Sequence, residues 1–202
     1  LDKNPDRIGM AFSILMSLPG IPIIYYGDEI GIQNNFANAN KSAKMREAKQ
    51  KKNKDVKNKV KMLSYFDSRD INRGPITQKT FEDAVNHKGT YNNRVYERVK
   101  QLIKVRKQYP VMTRGSFVEL KTKSPEVFAY VRSNETDRVV VINNLSDNKI
   151  KATVIFTDDN FGKKGKDIYL KNLLTDKMVR VNVENKELTV RLNGYDALWL
   201  KM

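Results

Sequence analysis

Along the first thirty residues the apolar positions change period. Ile8, Ala11, Phe12 and Leu15 recur at helical spacing, which places them on one face of a helix. Asn4-Pro5 supplies an N-cap followed by proline at the first helical position, and Pro19-Gly20 stops the pattern after about Ser17. Ile21-Pro22-Ile23-Ile24-Tyr25-Tyr26 comes next, apolar on both alternating faces. A strand apolar on both faces belongs in a parallel sheet covered on both sides. The stretch therefore predicts an α/β unit, with Gly27-Asp28-Glu29-Ile30-Gly31 leaving the strand at its C-terminal end. Residues 33–64 are polar and basic, with a helix predicted from about Ser42 to Val60. Tyr65 to Pro75 keeps no period and reads as a loop. A second helix is predicted from Asn92 to Gln108, with Val95, Val99, Leu102 and Ile103 on one stripe and Tyr109-Pro110 at its end.

From Val111 onward the period is two. Apolar runs occur at Phe117–Leu120, Val127–Val131, Val139–Ile142, Thr153–Phe156, Ile168–Leu173, Met178–Val183, Leu188–Leu192 and Ala197–Leu200. Turn-forming residues such as Ser124-Pro125, Ser146-Asp147-Asn148, Thr175-Asp176 and Asn193-Gly194 separate them. Short strands at this spacing predict an antiparallel sandwich or barrel. The chain thus divides near Pro110 into an α/β part, 1–110, that carries a basic helical insertion at about 33–64, and an all-β part, 111–202.

Composition narrows the chemistry. With 202 residues and 40% hydrophobic content, one large domain or two small ones can bury a core. Asp28 and Glu29 end the longest apolar run well short of a membrane span. The absence of cysteine excludes disulfides and thiolate metal sites, and is compatible with cytoplasm, periplasm or secretion. A single histidine, His87, argues against a zinc site or a Ser-His-Asp triad, so no metal or cofactor is expected. The net charge of +15 invites a nucleic-acid reading. However, over half of that charge sits between Lys41 and Lys61, where ten basic residues face two acids and no aromatic side chain is available to stack on a base. This segment reads as a solvated helix or loop, and no nucleic-acid partner is expected.

Three segments, in order, resemble the α-amylase superfamily of glycoside hydrolases and transglycosylases. Leu18-Pro19-Gly20-Ile21-Pro22-Ile23-Ile24-Tyr25-Tyr26-Gly27-Asp28-Glu29-Ile30-Gly31 looks like that family's eighth barrel strand and its exit. Ser68-Arg69-Asp70-Ile71-Asn72-Arg73-Gly74-Pro75 is similar to the arginine-rich loop that follows this strand in the α-glucosidase-like branch. Leu192-Asn193-Gly194-Tyr195-Asp196-Ala197-Leu198-Trp199-Leu200 looks like the last strands of the family's small β-domain. The resemblance implies the last strand and helices of a (β/α)₈ barrel followed by a β-sandwich, from an enzyme acting on α-linked glucose oligosaccharides or α-glucosides by a retaining double displacement. It also places the catalytic carboxylates on the fourth, fifth and seventh strands, upstream of Leu1, with none in this chain. A barrel of this class takes about 250 residues, so the implied partner of residues 1–110 is an N-terminal barrel portion.

In such a barrel, function sits at the C-terminal ends of the strands, the place of Tyr26 to Gly31. Asp28 and Glu29 are adjacent and so point in opposite directions. A retaining pair must instead flank one sugar about 5–5.5 Å apart. Glu29 is therefore expected to hydrogen-bond behind the rim, together with Tyr26 and Asp70, and Asp28 to be solvated. Asn86-His87 is followed by Lys88 and lies after the eighth strand, so it does not match the family's Asn-His-Asp motif. The resemblance gives Arg73, and secondarily Arg69, a role in binding the terminal glucose, for which a planar guanidinium fork is suited. The alternative is that both arginines order their own loop by pairing with Asp67 and Asp70. Ile76-Thr77-Gln78 departs from the family's Met-Gln-Trp continuation. A second functional class stays open: a freestanding β-sandwich that binds glycans or an acidic partner without catalysis. The doubly apolar run Ile21 to Tyr26 favours the enzyme reading.

Overall fold

Helix α1 (Pro5–Ser17) starts where Asn4 lends its side-chain oxygen to the amides of Asp6 and Arg7, at 2.9 and 3.1 Å. It lies against α4 (Tyr91–Gln108), which Thr90 caps in the same way through the Asn93 amide. Ile8, Val95 and Val99 are buried between the two helices, with Ile24 packed on them. The computed structural model describes residues 1–52, 65–72, 74–157 and 166–202. Helix α2 (Phe36–Lys52) begins six residues before the predicted start, because Asn35 accepts the Asn38 amide at 2.9 Å and sets the first turn. The rest of the predicted basic helix lies outside the described residues. Helix α3 (Gln78–Val85) was not foreseen; only Ala84 among its residues is buried, so it leaves little apolar signature. A short α5 (Val111–Arg114) leads into the strands.

The run Ile21 to Tyr26 departs from expectation. It forms no ladder with any described residue, and Tyr26 already belongs to the turn that follows. Ile24 packs inward, whereas Ile21 is 92% and Ile23 84% exposed. A parallel strand buried on both faces needs a neighbour at each edge, and no described segment supplies one.

The β-part is a single antiparallel sheet. Its strands are β1 (Ser116–Glu119), β2 (Lys121–Thr122), β3 (Val127–Ser133), β4 (Arg138–Asn144), β5 (Ile150–Ile155), β6 (Lys166–Asn172), β7 (Lys177–Glu184), β8 (Glu187–Leu192) and β9 (Ala197–Lys201). The order across the sheet is β1-β3-β4-β9-β6-β7-β8-β5-β2. Each of the eight predicted apolar runs overlaps one of these strands. β1 and β2 are consecutive in the chain yet occupy opposite edges, so one stretch of backbone reaches both. The Leu120 amide donates to Ala129 O at 2.9 Å and the Lys123 amide to Thr153 O at 3.0 Å. The sheet therefore curls into a nearly closed barrel, which leaves little free edge. Alternation then sorts the side chains. Ala129, Val131, Val140, Ile142, Val181 and Leu188 fill the inside, while Tyr130, Val139, Val141 and Trp199 face outward onto Met16, Leu102, Val105 and Met112 of the helices.

Polar contacts fix this outer face. Trp199 Nε1 donates to Ser13 Oγ at 2.9 Å, Ser13 Oγ donates to Asn143 Oδ1 at 3.0 Å, and Ser17 Oγ meets the Tyr130 hydroxyl. Burial pushes the Tyr130 phenol up to about 12, so it stays a neutral hydrogen-bonding group. Two buried arginines complete the joint. From α4, Arg106 Nη1 donates to the carbonyls of Met16 (2.7 Å), Leu18 (3.1 Å) and Met112 (2.9 Å), and its Nη2 to Gly20 O (2.7 Å). From β3, Arg132 donates to Ser17 O, to Met112 O at 3.1 Å, to Gly115 O at 2.8 Å and to Ser116 O at 3.0 Å. Neither pairs with a carboxylate among the described residues. Desolvation lowers the pKa of both, and for Arg132 the nearby Arg106 charge adds to the effect. An arginine starts so far above neutrality that both remain cations. The carbonyls they meet include those at the C-terminal end of α1, the negative end of the helix dipole.

Arg132→Lys keeps the charge but lacks the fork that reaches four carbonyls. We expect a loss of about 2–4 kcal/mol, the scale of stranding several charge-assisted bonds. In urea unfolding it appears as a lower midpoint at unchanged slope.

Candidate functional site

The segment that leaves Tyr26 turns sharply. Gly27 and Gly31 hold φ of +92° and +68° on either side of a 3₁₀ turn, Asp28–Ile30. Both conformations favour glycine, and at position 31 a Cβ would lie 2.8 Å from the Tyr91 hydroxyl oxygen. The first residues of α4 hold the turn down. Asn92 Nδ2 donates to Ile30 O at 2.6 Å, and Gln33 Nε2 bridges Gly31 O (3.1 Å) and Tyr91 Oη (2.7 Å). Glu29 Oε2 accepts the Gly27 amide at 2.8 Å, so this carboxylate caps its own turn. Asp28 is on the exposed side. Partial burial nonetheless raises its carboxyl above the usual aspartate range, the Glu29 charge adds to the rise, and a backbone bond from Tyr25 works against it. Tyr25 and Tyr26 stand beside the turn with ring centroids 4.7 Å apart, tilted by 41°, each a little under half exposed. The result is a wet rim with an aromatic ledge and two adjacent carboxylates.

The arginine-containing loop is organised from a different direction. Asp67 caps a second 3₁₀ turn, Ser68–Ile71, by accepting the Arg69 amide at 2.9 Å. The same carboxylate takes the Arg69 guanidinium through Nε at 2.9 Å and Nη2 at 2.7 Å. Arg69 thus orders its own loop while its side chain is 71% exposed. Asp70 is buried, and its ion-pair partner is Arg46 of α2, not Arg69. Arg46 also donates to Tyr65 O at 2.8 Å, Asn38 Nδ2 to Asp70 O at 3.2 Å, and the Ile71 carbonyl accepts the Asn35 amide at 2.8 Å. Arg73 lies outside the described residues.

These contacts correct the reading of the basic run as a uniformly solvated face. Lys41, Lys44, Lys49 and Lys51 are exposed, but Arg46 is half-buried and clamps the loop. The sequence held a signal for this, since Arg46 is the one arginine among lysines and only a fork can serve a carboxylate and a carbonyl together. His87 is exposed on α3's end and meets Asp83 Oδ1 at 2.8 Å, an ordinary surface pair that lowers the Asp83 carboxyl. Among the described residues, no cluster of His, Cys, Asp and Glu could hold a metal ion. The turn that carries Glu29 is thus held by α4 and Asp70 by α2, while Arg69 is held by Asp67 of its own loop. Among the described residues, no opposed pair of carboxylates accompanies them.

Residues 2–115 match the family model described as alpha amylase, catalytic domain. The chain is 29% identical over 173 residues to alpha-amylase 3 of Dictyoglomus thermophilum, covering 85% of this chain and 31% of that protein. It is 24% identical over 214 residues to an oligo-1,6-glucosidase of Parageobacillus thermoglucosidasius, covering 93% and 36%. The fold is similar to that of the Geobacillus thermoleovorans α-amylase solved with acarbose, with a TM-score of 0.63, 18% identity, and coverage of 98% of this chain and 33% of that one. The chain therefore spans about a third of the length of these proteins.

Replacing Arg46 by Gln should release the loop while sparing the sheet. Amide exchange is expected to quicken at residues 65–72 at least about tenfold, the effect of losing one partly buried charge-assisted bond. Exchange in β3, β4 and β9 should be unchanged.

Proposed function

The chain belongs to the alpha-amylase family, and on that premise we propose that it is the C-terminal portion of a glycosidase or transglycosylase acting on α-linked glucose oligosaccharides or α-glucosides. Residues 1–110 contribute the last strand and helices of the catalytic barrel, and 111–202 form its β-domain. The observation that carries the reading is the segment Ile21 to Tyr26, which pairs with no described strand and leaves Ile21 and Ile23 exposed to water. Exposing both isoleucines on an unpaired segment forfeits about 1.5–3 kcal/mol per side chain and leaves backbone groups open to association. Flanking barrel strands would recover both. A freestanding module gains nothing from such a segment.

The chemistry follows from what the rim holds. Retaining cleavage needs an acid and a nucleophile on either side of one sugar. Glu29 caps its own turn and Asp28 is its neighbour, so these carboxylates shape the rim and the reacting pair comes from upstream strands. Tyr26 and Tyr25 supply an apolar surface for a sugar face. Arg73, following the turn that Asp70 and Arg46 brace, is the residue proposed to hold the terminal glucose. Arg69, already held by Asp67, contributes mainly by ordering that loop. Relatives named as an α-amylase and an oligo-1,6-glucosidase support an α-glucan or α-glucoside substrate.

One substitution tests the barrel reading in two contexts. Ile23→Asp in the 202-residue chain changes an exposed side chain and should move stability by less than about 0.5 kcal/mol. In the full-length enzyme the same change puts a charge inside the barrel and should abolish folding. Equal tolerance in both contexts would refute the assignment. For the site, Arg73→Lys in the full-length enzyme should cost about 1.5–3 kcal/mol of transition-state binding, or about ten- to a hundred-fold in kcat/KM on maltotriose. Unchanged kinetics would remove Arg73 from the substrate site.

A further inference from the structure

A groove of about 800 Å³ runs between α1, α4, the turn after β6 and the turn before β9. It lies on the side of α4 that faces the sheet. Arg98, which lines it, is seven residues beyond the rim-anchoring Tyr91, or about 10 Å along the helix axis. The groove lies apart from the rim residues described above, and its chemistry does not depend on the barrel reading.

Arg98 is the unusual group there. Its aliphatic stem lies flat against α1 at Gly9, where a Cβ would come within 2.9 Å of Arg98 Cγ. The guanidinium is thereby drawn out of bulk water. Desolvation pulls its pKa down, and Asp196 and Asp6 push it back up from beyond ion-pair distance. Its hydrogen bond among the described residues is to Gln101 Oε1, at 3.3 Å. Gln101 is itself oriented, because its Nε2 donates to Leu174 O in the turn after β6.

The surrounding carboxylates are committed elsewhere. Asp6 takes both of its oxygens to Arg94 Nη2 at 2.9 Å. Glu97 faces Lys100 at 3.5 Å, and Asp196 accepts the Asn193 amide and Nδ2 at 2.7 and 3.0 Å. Arg98 and Lys104 are left as two cations that line one groove with no carboxylate within ion-pair distance among the described residues. Tyr195 and Thr175 line the same groove and leave room for an organic group beside the charges.

We infer that this groove binds a phosphate dianion, free or carried on an ester, with the Arg98 guanidinium taking two phosphate oxygens and Lys104 the remaining charge. A planar fork matches such an oxyanion through two parallel bonds, and lysine adds a point charge. A neutral polyol would leave both cations uncompensated. The ligand would also tie α4 to the turns after β6 and before β9, so its binding should stabilise the fold by mass action.

The test is thermal unfolding of the 202-residue chain at fixed ionic strength, with chloride as reference, in the presence of inorganic phosphate, glucose 6-phosphate or glucose. Both phosphates should raise the melting temperature in a saturable way, and glucose should not. A stronger effect of glucose 6-phosphate identifies an ester-borne phosphate, and equal effects identify the free ion. Arg98→Gln should weaken binding at least about tenfold. Because Arg98 is packed and its variant could fail to fold, Lys104→Gln, at an exposed position, provides a second reading and should weaken binding about threefold or more. No shift beyond chloride in the wild-type chain, or identical binding by a folded Arg98→Gln or Lys104→Gln variant, would overturn the proposal.

Discussion

Two buried cations with no carboxylate partner among the described residues hold this fold together. Withdrawing a guanidinium from water costs several kcal/mol, and Arg106 and Arg132 sit side by side, which adds repulsion. Eight bonds to backbone carbonyls offset that cost. Several of those carbonyls end α1, where the helix dipole concentrates negative charge that would otherwise be stranded by burial. Arginines and helix end therefore solve each other's problem. The geometry has a consequence at the rim. Arg106 fixes Gly20, the start of the extended segment, while Tyr91 and Asn92 fix its exit at Ile30 and Gly31. All three belong to α4, so one helix sets both ends of the segment that carries Tyr26 and Glu29.

Local periodicity made most elements legible. Eight of the nine strands show in the sequence as apolar runs, and where burial alternates one face meets the barrel interior and the other the helices or solvent; β2, two residues long, left no signal. Helices α1 and α4 show a stripe because each packs on one side. What periodicity does not encode is pairing. The run Ile21 to Tyr26 has the composition of a doubly covered strand, and the composition is informative about the environment it suits. Which segment, if any, lies along its edges is a long-range fact that local composition does not carry, and no described segment pairs with it. Periodicity left sandwich and barrel open and the family resemblance favoured the sandwich, whereas the strands form one sheet curled into a nearly closed barrel. The closure depends on Leu120 and Lys123 reaching opposite edges, a long-range fact with no local signature.

Charge was the least legible property. Counting +15 along the chain treats every cation alike, whereas the structure sorts them by burial and partner. The exposed lysines of α2 contribute field and solubility. Arg46, in the same run, pins Asp70 and Tyr65 and so shapes the loop ahead of Arg73. Arg132 reads in sequence as the polar end of a strand, yet it is fully buried. The distinction tracks side-chain chemistry: where a cation serves several acceptors from a buried position, the residue is arginine. That also isolates Arg98, which is partly buried and whose hydrogen bond among the described residues is to Gln101.

The change of period at Pro110 is sharp in the sequence, but the core crosses it. Trp199, Tyr130, Val139 and Val141 present one face of the sheet to Met16, Leu102 and Val105, and the Trp199 indole finds its acceptor on Ser13 of α1. Without the helices those four side chains would face water, and the polar atoms matched to Ser13 and Ser17 would lose their partners. The inner cluster of the sheet, by contrast, is filled by strand residues alone. The β-part can therefore organise its interior by itself while depending on the helical part for its outer face. Any force on α4 at the rim is passed through Arg106 and this shared layer to the sheet, because close-packed interiors transmit displacement instead of absorbing it. The sheet is in this sense the rigid base against which the rim is held.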